Sequence, residues 1–234
     1  MKKVFKNEKI IFIIILLIGV LARTILIGQI PKGIHVDEAG IGYDAFCLAE
    51  YGVDRHLYKN PVYLTNFGGG QSALYVYLAA ICIKIFGFSL ITVRMPAVIC
   101  SIIAFILMYF IVKENTNKKM AVITFALLAI CPWHIMQSRW SLDCNLLSSF
   151  LIISLFFLTK AINKNSAKYF IISRNSFWGN SVHLCIIIYI NSINIIIDFY
   201  IFIICKKSNY QANNFIWNSF TYNGITTNTY DFNK

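Results

Sequence analysis

Acidic residues are the scarcest charged type in this chain, with ten Asp and Glu against 21 Lys and Arg in 234 residues. All four types together reach only 13%, where a soluble domain carries roughly 25%. Such scarcity excludes an ordinary water-facing surface. Metal-ligand spacing is lacking too: Cys47, Cys82, Cys100, Cys131, Cys144, Cys185 and Cys205 lie mostly inside apolar runs, so they read as small core hydrophobes and support no redox argument. Ionisable residues are almost absent from the middle of the first four apolar runs. That argues against a transporter or channel component, which needs them at mid-depth.

What the chain has instead is length of hydrophobic run, with 58% apolar residues and little amphipathic spacing. Crossing a hydrocarbon core of about 30 Å at 1.5 Å per residue takes roughly 20 residues. Residues 10–27, 91–112, 120–136 and 146–162 come close to that, and 182–205 forms a fifth, less regular run. The sequence therefore predicts an all-α, multi-pass integral membrane protein. Behind the basic MKKVFKNEK segment the first run has two readings, a cleaved signal peptide or a retained anchor. No small-residue cleavage site follows, and apolar residues resume after Arg23, which favours the anchor.

Lysine clusters set the orientation. Residues 2–9, 113–119 (KENTNKK) and 160–168 (KAINKNSAK) should all be cytoplasmic, so an even number of crossings must separate each pair. This places the N-terminus in the cytoplasm of a plasma-membrane protein. It also requires residues 71–88 (QSALYVYLAAICIKIFGF) not to span but to lie along the outer surface; the alternative is an ordinary sixth span. The outer face then carries a loop at 29–70 and the segment CPWHIMQSRWSLDCN. In HVDEAGIGYDAFCLAEYG, four of the ten acids (Asp37, Glu38, Asp44 and Glu50) fall within residues 35–52. Acids contribute little to topology, so their clustering needs another cause. Residues 38–51 have helical spacing at Ile41, Ala45 and Leu48, with Asp37 as candidate N-cap. A capping aspartate does no chemistry, and the two readings of Asp37 stand side by side.

The order of these features resembles a known family: a first span, an outer DE followed by GYDAFCLAEYGVD, then NPVYLTNFGGGQSALYVYLAAICIKIFGFSLITVRMPA, a lysine loop, and PWHIMQSRWSLD leading into a span. It is similar to the N-terminal part of GT-C membrane glycosyltransferases, the group of protein O-mannosyltransferases and lipid A aminoarabinose transferases, over residues 1 to about 165. The resemblance implies a GT-C helix bundle, a surface helix at 71–88 and a sugar donor carried on a polyprenyl phosphate. Transfer would go to a hydroxyl on a protein, glycan or lipid acceptor at the outer face, with membrane lipid as surroundings and no nucleic acid as partner. It also implies catalytic roles for Asp37 and the neighbouring Glu38 and a substrate-binding role for Asp143. A hydroxyl is a poor nucleophile that a positioned carboxylate can activate as general base, and the leaving phosphate needs donors or cations. Arg139 and His134 are candidates for the latter. The rival reading of Arg139 is an i,i+4 pair with Asp143, an interfacial anchor flanked by tryptophans. A divalent metal is compatible with the chemistry, but His35 and His56 define no site, and GGGQ at residues 68–71 departs from the acid and lysine-proline pair of the lipid A transferases. Gly68 to Gly70 are as readily a flexible join. Arg94 ahead of Pro96 reads as an interfacial anchor at the head of a span.

The chain divides at about residue 163. Residues 163–234 hold 13 asparagines and one leucine, against 6 and 19 in residues 1–162. Asn191, Asn194 and Asp198 would meet lipid in the fifth run, and Lys206 and Lys207 would end it on the wrong face. A frameshift in the gene near residues 163–180 would account for this change, and it would leave a shortened glycosyltransferase with little or no turnover of its own. The alternatives from other classes are a transporter fragment and a membrane scaffold whose acidic loop binds a partner.

Overall fold

The computed structural model describes residues 8–66, 69–164 and 166–180. They are mostly helical, as the run lengths require: α1 (Glu8–Thr24), α2 (Val36–Tyr51), α3 (Ala73–Phe86), α4 (Leu90–Asn115), α5 (Lys118–Ile130), α6 (Pro132–Arg139), α7 (Asp143–Lys164) and α8 (Ala167–Asn180). A small antiparallel hairpin, β1 (Tyr63–Asn66) and β2 (Gly69–Ser72), precedes α3. The alternation rules for strands give no warning of it, because GGQS has no side-chain pattern to read. The fifth apolar run and its polar residues lie outside the described residues.

Two helices, α4 and α7, are long and apolar enough to cross a membrane, and the bent pair α5–α6 would make a third. The expected span at 120–136 is not one straight helix: it breaks at Cys131, and its two parts are bent by 58°. Pro132 is the cause. A proline ring disfavours the helical conformation of the residue before it, and Cys131 accordingly has ψ 112. Pro132 itself sits at the start of α6, where its missing N–H costs nothing. The apolar α3 has 14 residues, or about 21 Å of helix, short of a hydrocarbon core.

On α1, Ile10, Ile13, Ile14, Leu17, Ile18 and Leu21 form one exposed stripe at helical spacing. The opposite stripe, with Phe12, Ile15 and Leu16, packs on a core built by Phe105 and Tyr109 of α4 and by Ala121, Phe125 and Ala129 of α5. Phe105 stacks on Phe125 with ring centroids 4.2 Å apart. Gly19 lets α1 approach this pair: a Cβ there would stand 2.5 Å from the Phe105 ring. Because that ring is fully buried, Gly19→Ala is expected to destabilise the protein by about 1–3 kcal/mol, read as a lower thermal midpoint after detergent extraction. A second core joins Ile41 and Ala45 of α2, Tyr75, Val76 and Ala79 of α3, Val93 and Ala97 of α4, and Leu146 of α7. The spacing at Ile41, Ala45 and Leu48 is thus the packing face of α2, as periodicity implies.

Breaks in the helices leave carbonyls without partners, and arginines take them up. Arg23 of α1 donates to the carbonyls of Leu128 and Ala129 at the end of α5, while Arg139 of α6 donates to Ala22 and Ile25 at the end of α1. Cations suit helix C-termini for the same reason. At the far end of the bundle Lys160 pairs with Glu114, so the loops around 113–119 and 160–168 meet there. Glu114 and Arg94 are separated along α4 by about 30 Å of helix. The lysine-rich end and the acidic end are therefore opposite ends of one bundle. Residues 167–180 form α8, which packs on α7 through Phe170 and Ser173, the latter donating to the Ser154 carbonyl at 2.9 Å.

Candidate active site

The acidic segment folds as α2, but its N-cap is His35 and not Asp37. His35 Nδ1 accepts the Asp37 N–H at 3.2 Å, and the Glu38 carboxylate accepts the His35 N–H at 3.4 Å, closing a capping box. An imidazole nitrogen can replace the usual side-chain oxygen in this role. Asp37 is thereby released from capping and stands in the first turn, its side chain half exposed. The helix N-terminus favours a carboxylate at that position.

Its neighbour Glu38 points inward and is 1% exposed. Both of its oxygens face Arg94, with Nε to Oε1 at 2.7 Å and Nη2 to Oε2 at 2.8 Å, a bidentate pair. Ser141 adds a hydroxyl donor at 2.6 Å and its backbone N–H at 3.3 Å. Burial opposes the charged carboxylate, but the hydrogen bonds from Arg94 and Ser141 and the Arg94 charge outweigh it, holding Glu38 below the ordinary carboxylate range. Arg94 also donates to the carbonyls of Ile27, Pro31 and Gly33. The expectation of an interfacial anchor at Arg94 is corrected by this: the guanidinium is fully buried and ties α4, α2 and the chain after α1 together.

Asp44, about two helical turns beyond Asp37, is also fully buried and pairs with Arg55 through Nε at 2.8 Å and Nη2 at 2.7 Å. Hydrogen bonding to Asp44 is the leading cause that raises Arg55 above its ordinary value. Arg55 continues to the Gly40 carbonyl at 2.6 Å and to Asn66 Oδ1 at 3.2 Å, and Asn66 Nδ2 donates to Asp37 Oδ1 at 3.2 Å. The hairpin serves both aspartates. Gln71 Nε2 donates to the Asp37 carbonyl at 3.1 Å, and the Ser72 N–H donates to Asp143 Oδ2 at 3.2 Å. Asp143 opens α7, so two carboxylates stand in the first turns of two helices and are bridged by one hairpin.

His134 and Arg139 are placed differently. His134 Nδ1 lies 2.7 Å from Arg23 Nη2 and is 8% exposed; Arg139 is 6% exposed with its donors on the carbonyls of Ile30, Ala22 and Ile25. The expected i,i+4 geometry of Arg139 and Asp143 does not arise, since α6 ends at the first and α7 begins at the second. His56 meets Thr65 at 3.0 Å. Among the described residues no group of three or more His, Cys, Asp or Glu is placed to hold a metal ion. Asn66, Arg55, Ser141 and Gln71 are the site residues that sequence reasoning missed. Sequence alone carried no signal for them, because burial of Glu38 and Asp44, which calls for a cation beside each, is seen only in the fold.

Asp37 is thus a half-exposed carboxylate on a hydrogen-bonded frame, with a second acid across the hairpin. Comparison with known proteins supplies a family. Residues 71–217 match the family model described as dolichyl-phosphate-mannose-protein mannosyltransferase. The matched stretch begins at the hairpin and runs past residue 163 into the asparagine-rich tail. Searches of curated proteins and of solved structures return no match. A family match over more than half of the residues, on a chain of long apolar helices, identifies an integral membrane glycosyltransferase of the mannosyltransferase type that belongs to the dolichyl-phosphate-mannose-protein mannosyltransferase family.

Proposed function

We propose that this chain transfers a sugar from a polyprenyl-phosphate donor to a hydroxyl acceptor on the outer face of the membrane, with Asp37 as general base. The observation that carries this reading is the different treatment of two adjacent acids: Glu38 is consumed by Arg94 and Ser141, while the Asp37 side chain stays half exposed, with Oδ2 beside His35 at 3.5 Å. Asp37 would take the acceptor proton as the acceptor oxygen attacks the sugar carbon, and the phosphate would leave with the electrons of the broken bond. Asp143 would bind acceptor or donor sugar from the opposite side of the hairpin. Glu38 becomes a positioning residue in this scheme, Arg139 a helix-end tie whose donors are already engaged, and His134 an acceptor for Arg23 through Nδ1. The short α3 would lie along the surface beside the site, and the lysine-rich end of the bundle would face the cytoplasm.

The direct test supplies membranes containing the full chain with a labelled polyprenyl-phosphate sugar. Label should pass to a non-lipid or lipid acceptor in proportion to the chain, and protease sensitivity of the product would identify a protein acceptor. An impermeant amine-reactive label in intact cells should reach Lys59 and spare Lys118. Transfer absent under all donor sugars, or the reverse labelling pattern, would sink the proposal.

A further inference from the structure

Among the described residues no arginine or lysine pairs with Asp37. Its Oδ1 accepts from the neutral amide of Asn66 at 3.2 Å, and its Oδ2 stands 3.5 Å from His35 Nδ1, the nitrogen that also accepts the Asp37 N–H. Amide nitrogen and oxygen are hard to tell apart by shape alone, yet here chemistry decides between them. Arg55 has donors and no acceptor, so the Asn66 atom that faces its Nη1 must be the oxygen. The NH2 group is then necessarily the one turned to Asp37. Arg55 in turn cannot rotate away, because Asp44 grips it through two nitrogens and the Gly40 carbonyl takes a third bond.

We infer that Asn66 is a positioning residue for the base, locked in one orientation by the Asp44–Arg55 pair so that it donates to one oxygen of Asp37 and leaves the other to the acceptor. This inference rests on the reading of Asp37 as general base. Two further observations support it. Asn66 is 6% exposed, so its amide is shielded from water that would otherwise compete for either end. Gly40, in the first turns of α2, makes room for it: a Cβ there would stand 2.7 Å from both Asn66 Nδ2 and Oδ1. The spacing Asp37, Gly40, Asp44 therefore places one oriented amide across the face of α2. Delivering Arg55 through an amide has a chemical reason. A guanidinium directly on Asp37 would stabilise the carboxylate and weaken it as a base, whereas a neutral donor fixes its geometry at smaller cost in basicity.

Asn66→Asp keeps the size of the side chain but turns an acceptor toward Asp37, and Asn66→Leu removes both bonds. In the membrane-embedded full chain each should lower kcat by about 10- to 100-fold with KM changed less than about three-fold. A readout that needs no turnover runs alongside: carbodiimide coupling of an amine to carboxylates, followed by mass spectrometry of the peptides. Freed from Asn66, Asp37 should couple several-fold faster in both variants and in Arg55→Gln, while coupling at Asp143 stays as in the parent chain. Equal acceleration at Asp37 and Asp143 would mean general loosening and would overturn the inference, as would unchanged coupling at Asp37. Loss of transfer in Asp37→Asn with full transfer in Asn66→Asp sinks this inference alone. Full transfer in Asp37→Asn sinks the reading beneath it.

Discussion

Asp37→Asn is expected to lower sugar transfer by about 10²- to 10⁴-fold and to leave the protein folded. The size follows from what the substitution removes. An amide cannot accept the acceptor proton, but it matches the carboxylate in shape, and its oxygen can still accept from Asn66. Asp37 is half exposed, so no buried charge is left unpaired, and the helix loses only a favourable first-turn carboxylate, worth about 0.3–1 kcal/mol. The measurement is initial rate of label transfer together with the thermal midpoint of extracted protein. A rate within about three-fold of the parent would remove Asp37 from the chemistry. Asp143→Asn should act mainly on KM if Asp143 binds substrate, since its contacts with the Ser72 and Cys144 N–H groups serve position and not proton transfer.

The contrast between what the sequence discloses and what it hides is clearest within α2 and α6. The packing face Ile41, Ala45 and Leu48 is legible because burial at helical spacing is a local pattern. So are the long apolar helices α4 and α7, whose run lengths alone determine them. Where Pro132 splits α5 from α6, the sequence carries the signal, since a proline acts on the residue before it; the hydrophobic run through residue 136 obscured it. His35 as a cap is not legible, because histidine is an uncommon choice and a neighbouring aspartate fits the ordinary preference better. The partners of Glu38 and Asp44 lie 56 and 11 residues away, and nothing local distinguishes one carboxylate from another. The fold class was thus readable from the sequence. The assignment of a different role to each acid was not, since it depends on contacts between distant segments.

Glu38→Gln and Arg94→Leu should each cost about 3–5 kcal/mol, the largest stability loss expected anywhere in the described residues. Each leaves the opposite charge buried: Arg94 is 0% exposed and Glu38 1%. The double variant Glu38→Leu/Arg94→Leu should recover part of the loss, because a buried pair replaced by apolar groups is often neutral while half a pair is not. The carbonyls of Ile27, Pro31 and Gly33 lose a donor in any Arg94 variant, so recovery should stay incomplete. The acid dependence has a definite sign. Glu38 in the folded chain lies below its reference value of 4.5, so its contribution is complete above that value and is lost as pH falls through the lower folded one. Arg94→Leu should therefore flatten the acid limb of stability below about pH 4.5, measured as thermal midpoint against pH. Midpoints equal to the parent in both single variants would contradict a load on this pair. The comparison also separates neighbours in the chain: loss of transfer in Glu38→Gln should track loss of folded protein, whereas in Asp37→Asn transfer should fail with the fold intact.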